Sequence, residues 1–253
     1  MRKLKAAGII LAAGQGKRMN STISNKVTLN LGDKPMVKKT VEVLRKAGIK
    51  PIVIVVGFQK ESVTNLFKNQ KDIIFAEQHD RLGTAHAAQE GMRMLPKNVK
   101  DFFVVNGDDS AFYKPDIFDK LFSEHKKNKN AITFLTLRVK NPFGLGRIIR
   151  SRLGKVVAIF EEKDASEKQR RIKEINPGCY LFNIDFFRKN ISKTPKSSVT
   201  GEFYIVSLIP LALKDGKKVE GIDAGHIPWR GVNTNEELEE ATKIFLEFQK
   251  SES

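Results

Sequence analysis

A single cysteine, Cys179, stands in the 253 residues, so no intrachain disulfide can form, which suits a reducing compartment. Set in an apolar run, it reads as a core residue rather than a nucleophile. Histidine is scarce, and His79, His86, His125 and His226 show no metal-ligand spacing. His86 falls in a helical pattern, where it reads as a packed side chain. No serine sits in a recognisable nucleophile elbow. Nor does any apolar run approach the roughly 20 residues that a membrane helix needs. The short run Ala6–Ala13 follows Arg2, Lys3 and Lys5 but lacks a small-residue cleavage site, so it reads as a buried first strand and not as a signal peptide. A cytoplasmic protein is expected. Acidic residues are outnumbered, 29 against 45 basic ones, for a formal charge of +16. The lysines are spread along the chain without a basic block or the aromatic-studded motif of RNA modules. Most of this charge therefore reads as solubility, with a few cations left for phosphate, and neither a nucleic acid nor a membrane is an expected partner.

What is present is a repeat of apolar strand, turn and amphipathic helix. Strands are predicted over 7–12, 52–56, 73–76, 102–105 and 131–139; most are unbroken apolar runs, as in parallel strands covered on both faces. Helices are predicted around Val37, Val41 and Leu44, ended by Gly48; around Val63, Leu66 and Phe67; around Ala88, Met92 and Leu95; and from Pro115 through Phe122. The second half is less regular. A hairpin is predicted from 147–150 and 156–162 about Gly154, with Glu161 and Glu162 on opposite faces, then a strand over 178–184 and a helix over 202–213 despite Pro210. A capping box of Thr234 and Glu237 opens a last helix. The expected fold is α/β: a βαβ series with a mostly parallel central sheet and a smaller β-rich lobe.

The strongest chemical signal is Leu11-Ala12-Ala13-Gly14-Gln15-Gly16-Lys17-Arg18-Met19. A buried strand ends in small residues, two glycines and two cations. Small residues admit close backbone approach, glycines allow several N–H groups to converge on phosphate oxygens, and strand C-termini are where open α/β sheets bind ligands. The dinucleotide fingerprint fails because Met19 stands where its third glycine belongs. A P-loop fails because Arg18, not Ser or Thr, follows Lys17.

Leu11–Met19 resembles the L-A-A-G-x-G-x-R-M signature of the sugar-phosphate nucleotidyltransferases, and further motifs follow in that family's order. They are Lys26; Gln78 with Leu82-Gly83-Thr84; Asn106-Gly107-Asp108; Gly144 to Ile148; Glu161 to Ala165; Glu174 to Gly178; Gly201 to Ile205; and Gly231-Val232-Asn233. The nearest likeness is to the uridylyltransferase domain of bifunctional N-acetylglucosamine-1-phosphate uridylyltransferase/glucosamine-1-phosphate acetyltransferases. The resemblance implies a Rossmann-like, GT-A-like nucleotidyltransferase domain over 1–253: a nucleotide half to about 140, a sugar lobe and metal-site return over about 141–233, and a C-terminal helix. No acetyltransferase β-helix is expected within this chain.

It also implies roles. Leu11, Ala12, Ala13 and Gly14 would hold the nucleoside, with Asn106 and Gly107 beside it. Gln78, Gly83 and Thr84 would read the uracil, Arg18 and Lys26 would bind the triphosphate, and Gly146, Glu161 and Asn176 would contact the sugar. Asp108 and Asn233 would hold Mg²⁺. Read without the family, Asp108 at a strand end is a metal ligand or a helix cap, and Asn233 is a ligand or a turn residue. Two departures stand out: Asn25 replaces the usual proline before the lysine, and Asp109-Ser110-Ala111 follows Asp108 in place of x-Pro-Leu. The implied reaction joins UTP to a sugar 1-phosphate, N-acetylglucosamine 1-phosphate by motif match, and releases pyrophosphate. Glucose 1-phosphate with UTP or dTTP is the alternative, as is a non-catalytic nucleotide sensor. The characteristic Asp-Ala-Ala-Arg segment of isoprenoid cytidylyltransferases is missing, and the oligomeric state is left open.

Overall fold

The computed structural model of the chain describes residues 4–16, 24–108, 110–225 and 227–252. The strands are β1 (Ala7–Ala12), β2 (Asn30–Leu31), β3 (Lys34–Pro35), β4 (Ile52–Val56), β5 (Ile73–Glu77), β6 (Asp101–Asn106), β7 (Ile132–Arg138), β8 (Gly146–Arg150), β9 (Val156–Phe160), β10 (Glu174–Asn176), β11 (Cys179–Asn183) and β12 (Val219–Asp223). The α-helices are α1 (Met36–Lys46), α2 (Lys60–Thr64), α3 (Thr84–Arg93), α4 (Pro115–Asn128), α5 (Glu167–Arg170), α6 (Ile184–Asn190), α7 (Leu208–Lys214) and α8 (Asn235–Glu252).

All strands but the β2–β3 pair form one sheet, in the order β5-β4-β1-β6-β11-β7-β10-β8-β9, with β12 also on β7. The first four run parallel, as their unbroken apolar sequences require, because both faces are covered. Alternate residues go to opposite layers. Ile10, Ile54, Phe103 and Val105 pack with Val37, Val41, Phe118 and Leu121 of α1 and α4; Ile9, Val53, Val55 and Val104 pack with Ala88 and Met92 of α3. The expected α/β architecture with a parallel centre is borne out.

The sheet divides at Pro177–Gly178. β10 and β11 both lie antiparallel to β7, with Ile175 opposite Leu137 and Tyr180 opposite Phe134. Their other edges diverge: β10 pairs with β8, and β11 with β6. Gly178 makes the break possible. Its φ is +77°, and a Cβ there would collide with the Asn106 amide. A cleft therefore opens where β6 ends and the β8–β9 arm turns away.

Two expectations need correction. The helix predicted over 202–213 does not begin until a 3-10 turn at Ile205–Ser207, followed by α7. Residues before it are held extended by tertiary bonds: Phe203 N–H donates to Leu82 O at 2.7 Å, its carbonyl accepts from Ala85 N–H at 2.9 Å, and Ile205 N–H donates to Thr84 Oγ1 at 3.0 Å. Pro210 falls in the first turn of α7, where an N–H has no helical acceptor. Glu161 and Glu162, expected to alternate on a strand, lie beyond the end of β9. Glu162 does not face away but ion-pairs at 2.6 Å with the buried Arg147.

Candidate active site

Two adjoining cavities lie at the C-terminal ends of β1 and β6. The larger, about 710 Å³, is lined by Leu11 to Gly16, Asn25, Lys26, Gln78, Gly83, Thr84, Asn106 and Asp108. The smaller, about 190 Å³, is lined by Gly146, Glu161, Asn176, Tyr180, Tyr204, Val232 and Asn233. Leu11, Thr84, Asn106 and Asp108 line both, so they form the shared wall. Of the residues expected at the nucleotide, Leu11 to Gly14, Gln78, Gly83, Thr84 and Asn106 line the larger chamber while Gly107 lines neither; those expected at the sugar line the smaller, and Asp108 stands between. A further cavity of about 620 Å³ lies at the start of β6, around Asp101, His125 and Lys126. It lies at the opposite end of the strand from Asp108, away from the glycine loop, and so apart from this chemistry.

The glycine loop is held by a residue that sequence reasoning noted only as a departure. Asn25 is fully buried; its Nδ2 donates to the carbonyls of Ala12 (2.9 Å), Gly14 (3.1 Å) and Phe58 (2.9 Å). Its Oδ1 accepts from Val27 N–H at 3.1 Å, and its own N–H donates to Ser62 Oγ at 3.0 Å. One side chain thereby ties the loop to the segment after β4 and to the short turn that carries Lys26. Gly107 N–H donates to Leu11 O at 3.0 Å, which draws the end of β6 against β1. Arg18 and Lys17 lie outside the described residues.

Lys26 forms an ion pair with Asp108 and donates to Val232 O at 2.7 Å. It therefore bridges the glycine-loop side and the segment bearing Asn233. Asn233 N–H donates to Glu237 Oε2 at 2.7 Å, while Glu237 N–H donates to Thr234 Oγ1 at 3.2 Å. The predicted capping box is thus present in altered form, and it anchors Asn233 to the start of α8. Among the described residues no group of three or more His, Cys, Asp or Glu could hold a metal.

A profile of the nucleotidyl transferase family matches residues 7–247. The chain belongs to this family. It is 36% identical over 237 residues to the bifunctional protein GlmU of Carboxydothermus hydrogenoformans, covering 93% of this chain and 52% of that protein. With the GlmU of Caldicellulosiruptor saccharolyticus it shares 38% over 236 residues, 92% of this chain and 50% of the relative. The chain therefore spans about half the length of these curated relatives. Among solved structures it is similar to a Bacillus anthracis protein described as a candidate glucose-1-phosphate thymidylyltransferase in complex with sucrose. The TM-score is 0.76 at 25% identity, covering 94% of each chain. The resemblance drawn from the motifs is borne out.

In this nucleotidyl transferase the smaller cavity is acidic. Glu161 has a pKa raised to about 7, first by burial and then by Asp164 and Glu202, with Arg147 opposing. Gly146 lies close to both Glu161 and Asn176, where a Cβ would come 3.6 Å from Glu161 Oε1 and 3.6 Å from Asn176 Cβ. Asn176 accepts from Gly178 N–H at 3.1 Å and bonds the Tyr180 hydroxyl, so it shapes the division of the sheet as well as lining the cavity. Thr84 likewise uses its hydroxyl oxygen to accept from Ile205 N–H, a packing role beside its place in the shared wall.

Arg147 was also missed by sequence reasoning beyond its place in a motif. Only 1% exposed, it donates to Glu162 Oε2 at 2.6 Å and to the Leu145 carbonyl, and Gly144 N–H donates to the same Glu162 oxygen at 3.0 Å. The pair bolts the loop before β8 to the turn after β9. The signal was an arginine between apolar residues at a strand start, where a cation must find a partner to be buried.

Proposed function

We propose that this chain transfers a uridylyl group from UTP to N-acetylglucosamine 1-phosphate, releasing pyrophosphate. The observation that carries the reading is the pair of chambers sharing the Asp108 wall: a triphosphate in the larger and a sugar phosphate in the smaller would meet there. A phosphate monoester has its second pKa near 6, so the sugar phosphate is largely dianionic at neutral pH and needs no side-chain base. One of its oxygens forms a bond to the α-phosphorus as the bond to the β-phosphate oxygen breaks, and pyrophosphate leaves. The barrier is the repulsion and alignment of two polyanions. Lys26 brings positive charge to the shared wall, with Arg18 the expected second cation. The glycine loop, pinned by Asn25, positions the nucleotide.

A divalent cation, Mg²⁺ in this reading, fits the donor set. Asp108 already holds a cation, the Lys26 ammonium, and Asn233 lines the same smaller cavity. One carboxylate and one amide oxygen suit an ion that keeps water and substrate phosphates as its other ligands. When bound, Mg²⁺ would neutralise phosphate charge and act as a Lewis acid. Asp108 and Asn233 would hold it, and Lys26 would turn from Asp108 to the phosphates.

Glucose 1-phosphate with dTTP is a second reading, favoured by the description of the Bacillus anthracis neighbour. Pyrophosphate release across a matrix of nucleoside triphosphates and sugar 1-phosphates tests both. UTP with N-acetylglucosamine 1-phosphate should dominate, and Asp108→Ala should lose at least about 100-fold in turnover. Equal turnover with all sugars would refute the specificity, and undiminished turnover in Asp108→Ala would refute the site.

A further inference from the structure

We propose that Glu90 and His86 fix the orientation of the Gln78 amide, leaving only its oxygen to meet the base and so selecting the N3–H of uracil or thymine against the N3 lone pair of cytosine. This rests on the nucleotidyl-transfer reading above and concerns how the larger chamber chooses its nucleotide.

Gln78 follows β5, is 5% exposed and lines the larger chamber. One end of its amide lies 3.1 Å from Gly83 O and 3.0 Å from His86 Nδ1. A backbone carbonyl can only accept, so the amide nitrogen is the atom facing it. Its second N–H then points to His86 Nδ1, which must be the lone-pair nitrogen, and the ring proton resides on Nε2. Nε2 lies 3.4 Å from Glu90 Oε1, one turn along α3. A carboxylate there accepts and favours that tautomer; the same oxygen is held by Arg93 at 2.7 Å.

Gly83 offers no slack. Its φ is +101°, a Cβ would come within 2.6 Å of Phe203 O and 2.9 Å of Glu202 Cβ, and its carbonyl also accepts the Ala87 N–H at 3.1 Å, which holds it in place. Both amide hydrogens of Gln78 are therefore committed, and among the described residues nothing donates to its Oε1. A buried acceptor facing the chamber calls for an N–H from the ligand and is left facing a lone pair if that N–H is missing. Were the amide free to rotate, it would present either group and the preference would fade. His86 and Glu90 are positioning residues: neither is among the residues lining the chamber.

The test is the ratio of kcat/KM for UTP to that for CTP, measured with one sugar phosphate. His86→Leu, which removes the acceptor, should lower the ratio about tenfold, the scale of one mismatched polar contact, with the KM for the sugar phosphate unchanged. His86→Asn should retain most of the preference, because its Oδ1 can replace Nδ1. Glu90→Gln, which allows the ring proton to move to Nδ1, should lower the ratio about threefold. A fall in His86→Leu turnover by the same factor for UTP and CTP would overturn the proposal while leaving nucleotidyl transfer intact. An unchanged ratio in Glu90→Gln would overturn it as well, and that variant carries the test even where His86→Leu does not fold. Failure of the wild-type protein to use any pyrimidine triphosphate would instead refute the function on which the proposal rests.

Discussion

Replacing Glu161 by glutamine keeps the side chain's shape and removes a charge that the fold holds at a cost. The carboxyl sits past β9 in the smaller cavity, where burial first, then Asp164 and Glu202, raise its pKa from an ordinary 4.5 to about 7. Arg147 opposes this but is committed to Glu162 at 2.6 Å. The interval from 4.5 to about 7, at about 1.4 kcal/mol per tenfold, sets a ceiling on the order of 3 kcal/mol for the cost of ionising Glu161 in the folded chain. The sign follows from proton linkage. Between these values the folded state binds more protons than the unfolded one, so this group's contribution to stability falls as pH rises through the window. Below about pH 4.5 the neutral carboxyl and the amide are nearly equivalent. Urea unfolding of wild type and Glu161→Gln at about pH 4 and pH 8 reads this directly. Glu161→Gln should be about equal to wild type at the lower pH and more stable by about 1–3 kcal/mol at the higher. A stability difference that is the same at both pH values, or a loss that grows toward pH 8, would show that Glu161 is not held at a cost.

Asn25→Ala removes the amide that ties Ala12, Gly14 and Phe58. It should cost about 2–3 kcal/mol in urea unfolding and raise the KM for the nucleotide, while Asn25→Asp, which sets a carboxylate against three carbonyls, should cost more. Arg147→Met removes the nearest cation from Glu162, leaving it Arg170 at 3.5 Å and the Gly144 N–H, and should lose about 1.5–3 kcal/mol; the double change Arg147→Met with Glu162→Leu should recover part of it in the same measurement. Gly178→Ala forces a side chain into a left-handed position against Asn106. It should lower the thermal midpoint and depress turnover at saturating levels of both substrates, because Asn106 belongs to the wall the two chambers share.

The parallel core was legible because periodicity is a local property. The runs at 7–12, 52–56 and 102–105 carry apolar side chains to both faces, which only a sheet covered by helices on both sides can bury. The glycine loop was legible for a similar reason: small residues and glycines after a buried strand describe a local backbone demand. The irregular half was harder to read. Residues 202–204 fall in the predicted helix, but Phe203 is held extended by Leu82 and Ala85, partners more than a hundred positions away in sequence.

Chain order also pointed to much of the candidate site, since residues from most of the motifs line two adjoining cavities. The work of the supporting side chains emerged only with the folded arrangement. Asn25 was read as a departure, His86 as a packed helix residue and Arg147 as part of a motif; each acts through hydrogen bonds to groups set by other elements. A propensity belongs to a segment and can be read along it. A hydrogen bond between distant groups exists only once the fold has set their distance and excluded water, so Gln78's orientation, Lys26's pairing with Asp108 and Glu161's raised pKa become visible only in three dimensions.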